Sequence, residues 1–276
     1  MNKEKKYIFS LSEYKKFIDF IKNQYFFDLS YFEVLITKRR IENFFHNYNI
    51  SDFKSAIELI SKNKFWIMLQ DYLIVPTTEM FRDVDIWKKL KEKYLSRYKN
   101  LEPKIWLPDI STDDELDTML IVLKEAGFEN NFDILVSSPF EKVGNKYQSN
   151  AIDEKKMEIA RLNYKNYCGK DDIDSCYNLI GRQYFLKKNL YINVNFKKYA
   201  FWTDQIQENY FDIVIIRNRL LYYNPEAHKK YIEKIYKSLK NRAILILGIN
   251  ENFAESQIEK NFTRPEKNCQ IFIKKK

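Results

Sequence analysis

The stretch Lys104–Asp117, KIWLPDISTDDELD, runs from a short apolar piece into a helical pattern that continues to Gly127 as ELDTMLIVLKEAG. A strand–loop–helix junction of this kind is where α/β folds bring a ligand close to the backbone, usually over glycines. This loop has no glycine and carries Asp109, Asp113 and Asp114. A structural reading exists for it. Ser111 or Thr112 can cap the helix, Thr112-x-x-Glu115 has capping-box spacing, and acids in a first turn suit the helix dipole. The four acids Asp109, Asp113, Asp114 and Asp117 would repel a pyrophosphate, which argues against a dinucleotide. The spacing is not that of an EF-hand, and no metal site is expected.

Working outward, three more apolar runs follow: FDILVS from Phe132, FDIVIIRN from Phe211 and AILILGI from Ala243. Between them lie helical patterns, DEKKMEIARLNYKNY and PEAHKKYIEKIYKSLK. Alternating strands and helices specify a parallel α/β sheet. Ligands in such sheets lie beyond the C-terminal ends of the strands, here the loops after Leu107, Val136 and Ile216. One piece breaks the alternation. Residues of about 181–200, GRQYFLKKNLYINVNFKKYA, alternate like a hairpin and predict a small antiparallel insert. This piece carries Arg182, Lys187, Lys188, Lys197 and Lys198 and no acid.

Upstream, Ser12 to about Leu73 reads as helices. Phe17, Ile18, Phe20 and Ile21 recur at helical spacing, and Ser51-Asp52 is an N-cap signal. Pro76 breaks the chain, and Thr77 or Thr78 before EMFRDVDIWKKLKEKYL marks the start of another helix or of a short turn leading into one. The division expected is a helical domain over 1–75 and an α/β domain over 76–276. No internal repeat or low-complexity segment is present.

Composition narrows the function classes. The 276 residues are 45% hydrophobic, enough for a sizeable core. Aromatics, 16% of the chain, are spread along it rather than gathered into a stacking platform. There are five glycines, where average usage would give about twenty. The net charge of +9 comes without an arginine-rich run, helix-turn-helix or zinc-finger spacing, so no nucleic-acid partner is expected. Cys168, Cys176 and Cys269 form no C-x-x-C pair, which fits a reducing cytoplasm. No apolar run reaches membrane-spanning length, and membrane insertion is not expected. His46 and His228 have no ligand-spaced partner.

Four segments, in order and spacing, resemble the chemotaxis receptor methyltransferases of the CheR family. Phe211–Tyr223, FDIVIIRNRLLYY, then Asn224-Pro225, a helix and AILILGINEN, is similar to that family's F-D-x-I-x-C-R-N-V-x-I-Y-F, helix and L-G-x-S-E. Val75–Asp83, VPTTEMFRD, is similar to T-x-N-x-T-x-F-F-R-D. The loop of Lys104–Asp117 takes the place of I-W-S-A-G-C-S-T-G-E-E-P-Y, and VNFKKYAFW that of V-x-F-R-R-H-N-L-L. The resemblance implies an N-terminal helical domain and a Rossmann-like S-adenosylmethionine methyltransferase domain with a small antiparallel β insert. It implies methyl transfer to glutamate side chains, in which an already ionised carboxylate attacks the methyl group in line and positioning supplies the rate. It gives Thr78, Glu115, Asn218 and Ser138 as cofactor-binding residues and Arg82 and Tyr222 as catalytic ones.

Departures from the family pattern are equally specific. Asp109 and Asp113 stand at glycine positions, Ser138 at the ribose-binding acid, Ala200 at an asparagine, and Arg219 at a small apolar residue. These favour a degenerate member acting as a protein-binding or regulatory module, with a chemoreceptor or signalling protein as partner. The alternative is an active divergent protein-glutamate O-methyltransferase. The obstruction reading expects Asp109 or Asp113 to point into the crevice.

Overall fold

The structure is a computed structural model. It describes residues 7–74, 78–140, 143, 151–253 and 256–276. Val75, Pro76 and Thr77 lie outside the described residues. Contacts divide the chain into two compact units, residues 1–75 with 221–230, and residues 76–220 with 231–276.

The first unit is helical: α1 (Leu11–Tyr25), α2 (Val34–Asn47), α3 (Phe53–Ile60) and α4 (Asn63–Leu73). Ser10 starts α1 with a capping box in which its hydroxyl accepts from Glu13 N and Glu13 accepts from Ser10 N. Asp52 caps α3 as the sequence signals, accepting from Ser55 N. The apolar faces meet in an aromatic core where Phe9, Phe17 and Phe45 lie 5.4–5.7 Å apart. The returning segment 221–230 is stitched in by backbone. Phe32 bridges Tyr223, Glu33 N donates to the Tyr222 carbonyl at 2.8 Å, and Asn224 N to the Tyr31 carbonyl at 3.0 Å.

The second unit opens with a turn leading into α5 (Val84–Lys89), the second of the two starts that the sequence allowed. Phe81 and Asp83 take left-handed backbone angles, φ +54° and +58°, and a helix cannot run through them. Then come β1 (Lys104–Leu107), α6 (Asp114–Glu125), β2 (Asp133–Ser138), β3 (Ile152–Asp153) and α7 (Glu154–Cys168). After these the chain forms β4 (Tyr177–Ile180), β5 (Gln183–Leu186), β6 (Val194–Lys198) and β7 (Phe211–Ile216). The helix α8 (Pro225–Ser238) leads to β8 (Leu239–Leu247), β9 (Phe262–Thr263) and β10 (Ile271–Lys274).

Seven strands make the main sheet in the order β6-β2-β1-β7-β8-β10-β9. The first five are mutually parallel, and β10 pairs antiparallel with both neighbours. The central strands are apolar because helices cover both faces: Ile105–Leu107, Ile213–Ile216 and Ala243–Leu247 are all buried. The chain builds outward from β1 through β2 to β6, then crosses back to β7 on the other side of β1. That reversal makes the C-terminal ends of β1 and β7 the switch point, where open α/β sheets bind ligands. Topology and order are those of a Rossmann-like methyltransferase domain.

The expected antiparallel insert exists, but its limits differ. Its sheet is β3-β5-β4, and its hairpin pairs Tyr177–Ile180 with Gln183–Leu186 across a two-residue loop. Gly181 in that loop has φ +63°, the freedom such a tight turn requires. The second half of the predicted hairpin, Val194–Lys198, instead joins the main sheet parallel to β2. An edge strand with one solvated side alternates in sequence just as a hairpin strand does, which is why the two read alike. Among the described residues no helix is long and apolar enough to cross a membrane.

Candidate functional site

At the switch point the backbone itself carries the shape. Asp109, two residues after β1, has φ +54°, and Asn218, two residues after β7, has φ +56°. Both are buried. The turn after β7 is held from below by Glu251. One carboxylate oxygen accepts from Asn218 N (2.8 Å) and Gly248 N (2.7 Å), the other from Arg219 N (2.6 Å) and Leu220 N (2.7 Å). Burial pushes this carboxyl up, and the four N–H bonds pull it back down. The approach is so close that a Cβ on Gly248 would lie 2.7 Å from the Glu251 carboxylate and 2.8 Å from Asn218 N. Only glycine fits there.

Beside this turn runs a buried ionic chain. Arg217, fully buried, donates to Glu115 at 3.1 Å, to the Arg82 carbonyl at 3.0 Å and to the Asp83 carboxylate. Its guanidinium lies 5.4 Å from the Trp87 ring. Burial raises the Glu115 carboxyl to about 7, against the pull of Arg217. Thr78 joins the same region: its hydroxyl is 2.6 Å from that of Thr112 and 3.1 Å from Asp114. Phe81 N donates to the Thr118 hydroxyl at 3.0 Å, fixing the 78–83 segment against α6.

The capping box read at the start of α6 is not formed. Asp113 is the N-cap residue and makes no side-chain cap. The Thr112 hydroxyl donates to the Asp114 side chain, and Glu115 is turned to Arg217. Stronger partners than the helix's own N–H groups took both side chains. Asp109, Asp113, Asp114, Glu115 and Asp117 are all buried. Burial, then the neighbouring Asp113, pushes the Asp117 carboxyl well above its ordinary range, and Tyr191 donates to it at 2.5 Å. Lys156 lies 3.7 Å from Asp114.

Arg219 closes the floor toward β1. Its Nε donates to the Asp109 carbonyl at 2.7 Å and lies 4.0 Å from the Asp109 carboxylate, with both residues 4% exposed. Tyr231 is stacked on Phe201 at 4.4 Å, and burial, then the nearby Asp109, pushes its hydroxyl well up in pKa. Asp109 and Asp113 are both buried rather than in bulk solvent.

The structure thus brings Thr78, Arg82, Glu115 and Asn218 together at one edge of the second unit. Ser138 sits fully buried at the end of the neighbouring strand, where its hydroxyl accepts from Phe140 N at 3.3 Å. Ala200 N donates to Asp204. Tyr222 belongs to the first unit, its carbonyl bound by Glu33. Sequence reasoning missed Arg217, Glu251 and Asp83. The available signal was a charged residue placed directly after the four buried residues Ile213–Ile216, and an acid three residues after Gly248.

Fold, switch point and site define the class of S-adenosylmethionine-dependent methyltransferase domains. Residues 76–268 match the family model of the CheR methyltransferase SAM-binding domain. The chain belongs to the CheR methyltransferase family, and S-adenosylmethionine is the cofactor of its domain. A protein described as putative methyltransferase Cher3, from Pseudomonas putida, is 24% identical over 95% of this chain and 96% of its own length. A chemotaxis protein methyltransferase of Listeria monocytogenes is 20% identical over 87% of this chain and 89% of its own. A solved putative S-adenosylmethionine-dependent methyltransferase from Methanococcus maripaludis is 14% identical, covering 66% of this chain and 67% of that one with a TM-score of 0.31.

The residues present fit such a cofactor on two counts. The Asn218 side-chain amide nitrogen is buried and, among the described residues, has no hydrogen-bond partner, so it suits an acceptor on the adenosine. The acids of the α6 start suit a ligand whose sulfonium and ammonium are cationic and which carries no phosphate. Asn218, Glu115 and Thr78 are the residues that would hold it. When bound, the cofactor supplies an electrophilic methyl group.

Proposed function

We propose that this chain is a divergent CheR-family protein that keeps the cofactor crevice but works as a protein-binding or regulatory module in the cytoplasm, with a chemoreceptor or signalling protein as partner. The observation that carries this reading is the buried contact of Arg219 with Asp109. A position with the backbone angle of a glycine holds an aspartate, and its carbonyl is taken by a guanidinium from the turn after the neighbouring strand β7. In an active enzyme of this family, loop polar groups and open backbone at that point serve the ligand. Here they serve each other. The accumulated acids also disfavour a second anion, so a cationic ligand is admitted more readily than the glutamate carboxylate of a methyl acceptor.

The alternative reading is an active protein-glutamate O-methyltransferase. It is favoured by two groups at the crevice, Thr78 with Thr112 and Asp114, and Glu115 with the Arg82 carbonyl through Arg217, with Asn218 next in sequence. A carboxylate acceptor also needs no general base.

One pair of measurements separates the two: calorimetric titration with S-adenosylhomocysteine, and transfer of labelled methyl to receptor cytoplasmic fragments. Heat of binding without transfer above the protein-free rate is the expected result. Repeated turnover on a receptor glutamate would overturn the module reading.

A further inference from the structure

A cleft of about 470 Å³ opens beside the end of β8 and the start of β10, separate from the residues that would hold the cofactor. Two segments line it. Asp83–Ile86 brings two carboxylates, Asp83 and Asp85, with the buried Ile86. The segment 264–270 brings Arg264 and Gln270, and Ile249, 57% exposed, adds apolar surface. A volume of this order suits a small molecule.

The charges point to its chemistry. Asp83 is already engaged by Arg217, but Asp85 is exposed. Arg264 donates through Nε to the Cys269 carbonyl at 2.9 Å, and its guanidinium lies 5.5 Å from the Phe272 ring. Those contacts hold the guanidinium by one edge and, among the described residues, leave the Nη edge for a carboxylate fork. One carboxylate, one fixed guanidinium and an apolar surface within one small cleft match a zwitterion with an apolar side chain. We propose that this cleft binds a free α-amino acid, with its ammonium at Asp85, its carboxylate at Arg264 and its side chain against Ile86 and Ile249.

The site backs onto the supports of the crevice. Asp83 holds Arg217, which holds Glu115. Gln270 Nε2 donates to the carbonyls of Ile249 (2.9 Å) and Glu251 (3.4 Å), and the Glu251 carboxylate carries the turn at Asn218. A ligand in the cleft therefore presses on both elements that shape the crevice, and any coupling must be reciprocal.

The test is calorimetric titration of the full chain, without cofactor, using L-leucine, L-methionine, N-acetyl-L-leucine and L-leucinamide. The two free amino acids should bind with dissociation constants of about 10 μM to 1 mM. Blocking either terminus should weaken binding about tenfold or more. Arg264→Gln and Asp85→Asn, both at exposed positions, should each weaken leucine binding similarly while leaving the ligand-free melting temperature and S-adenosylhomocysteine binding in place. The proposal fails if no probe gives heat up to about 10 mM. It fails equally if a blocked analogue binds as well as the free amino acid, or if both variants bind like the parent. None of these outcomes depends on whether methyl transfer occurs.

Discussion

Two stretches on the same edge of the sheet bury carboxylates by opposite means. At 248–251, a single acid, Glu251, is met by four backbone N–H groups. At 109–117, five acids are buried, and among them Glu115 is met by Arg217, Asp109 lies 4.0 Å from Arg219, Asp117 accepts from Tyr191 and Asp114 from Thr112. The first arrangement is complete without any ligand. Burial raises the proton affinity of carboxyls in both stretches, but at Glu251 four N–H donors counter it, whereas at Glu115 and Asp117 neighbouring carboxylates add to it. A buried acid is structural when backbone donors account for its lone pairs, and it is available for ligand chemistry when they do not.

The comparison breaks most severely at Glu251. Glu251→Ala leaves four backbone donors without their carboxylate and should destabilise the protein by about 4 kcal/mol, read as a shift in urea midpoint at unchanged slope. A cost under about 1 kcal/mol would mean that water replaces the carboxylate and the turn is not built on it. Gly248→Ala tests the same turn from the other side. Overlap with Glu251 and Asn218 N should cost about 2–3 kcal/mol.

The acid-rich stretch should show itself in pH dependence. Glu115 is raised from 4.5 to about 7, and Asp117 moves the same way. Between pH 4.5 and 7 the folded state therefore holds protons that the unfolded state has released. Stability must then fall as pH rises through that window, by about 2 kcal/mol. Below it, carboxyls held low by partners, such as Glu125 and Asp28, lose their contribution as they protonate. Melting curves should show a maximum near pH 5, with Glu115→Gln flattening the neutral side; a profile that rises from pH 5 to 7 contradicts the assignment.

The smallest effect is expected at Asp109. Asp109→Gly relieves a left-handed aspartate but adds freedom to the unfolded chain, and stability should change by less than about 1 kcal/mol. Its sharper readout is S-adenosylhomocysteine affinity, which should rise once the side chain beside Arg219 is gone. Unchanged affinity would move the obstruction to Arg219 or Phe201.

Much of this architecture was legible in sequence because it rests on local pattern. Ile213–Ile216 and Ala243–Leu247 could only be buried parallel strands, and Asp52 announced a helix start. Val194–Lys198 was misread because an edge strand and a hairpin strand share one periodicity. Whether a helix or a turn follows Thr78 stayed open in sequence because left-handed angles at Phe81 and Asp83 leave no mark in residue type. The site was legible only in part. Glu115 could be named, but its partner Arg217 is 102 residues away, and a pairing of that range is fixed by topology rather than spacing. Thr112-x-x-Glu115 satisfied a motif whose members then found better partners in three dimensions.

The return of Leu221–Lys230 to the helical unit has a consequence for how the chain is made. Synthesis proceeds from the N-terminus, and domains generally fold as they emerge. The helical unit lacks the partners of Tyr31, Phe32 and Glu33 until Tyr222, Tyr223 and Asn224 have been translated. Everything from residue 76 to residue 220 must leave the ribosome first. The helical unit is thus completed late, and α1–α4 keep an unfinished surface while residues 76–224 are made.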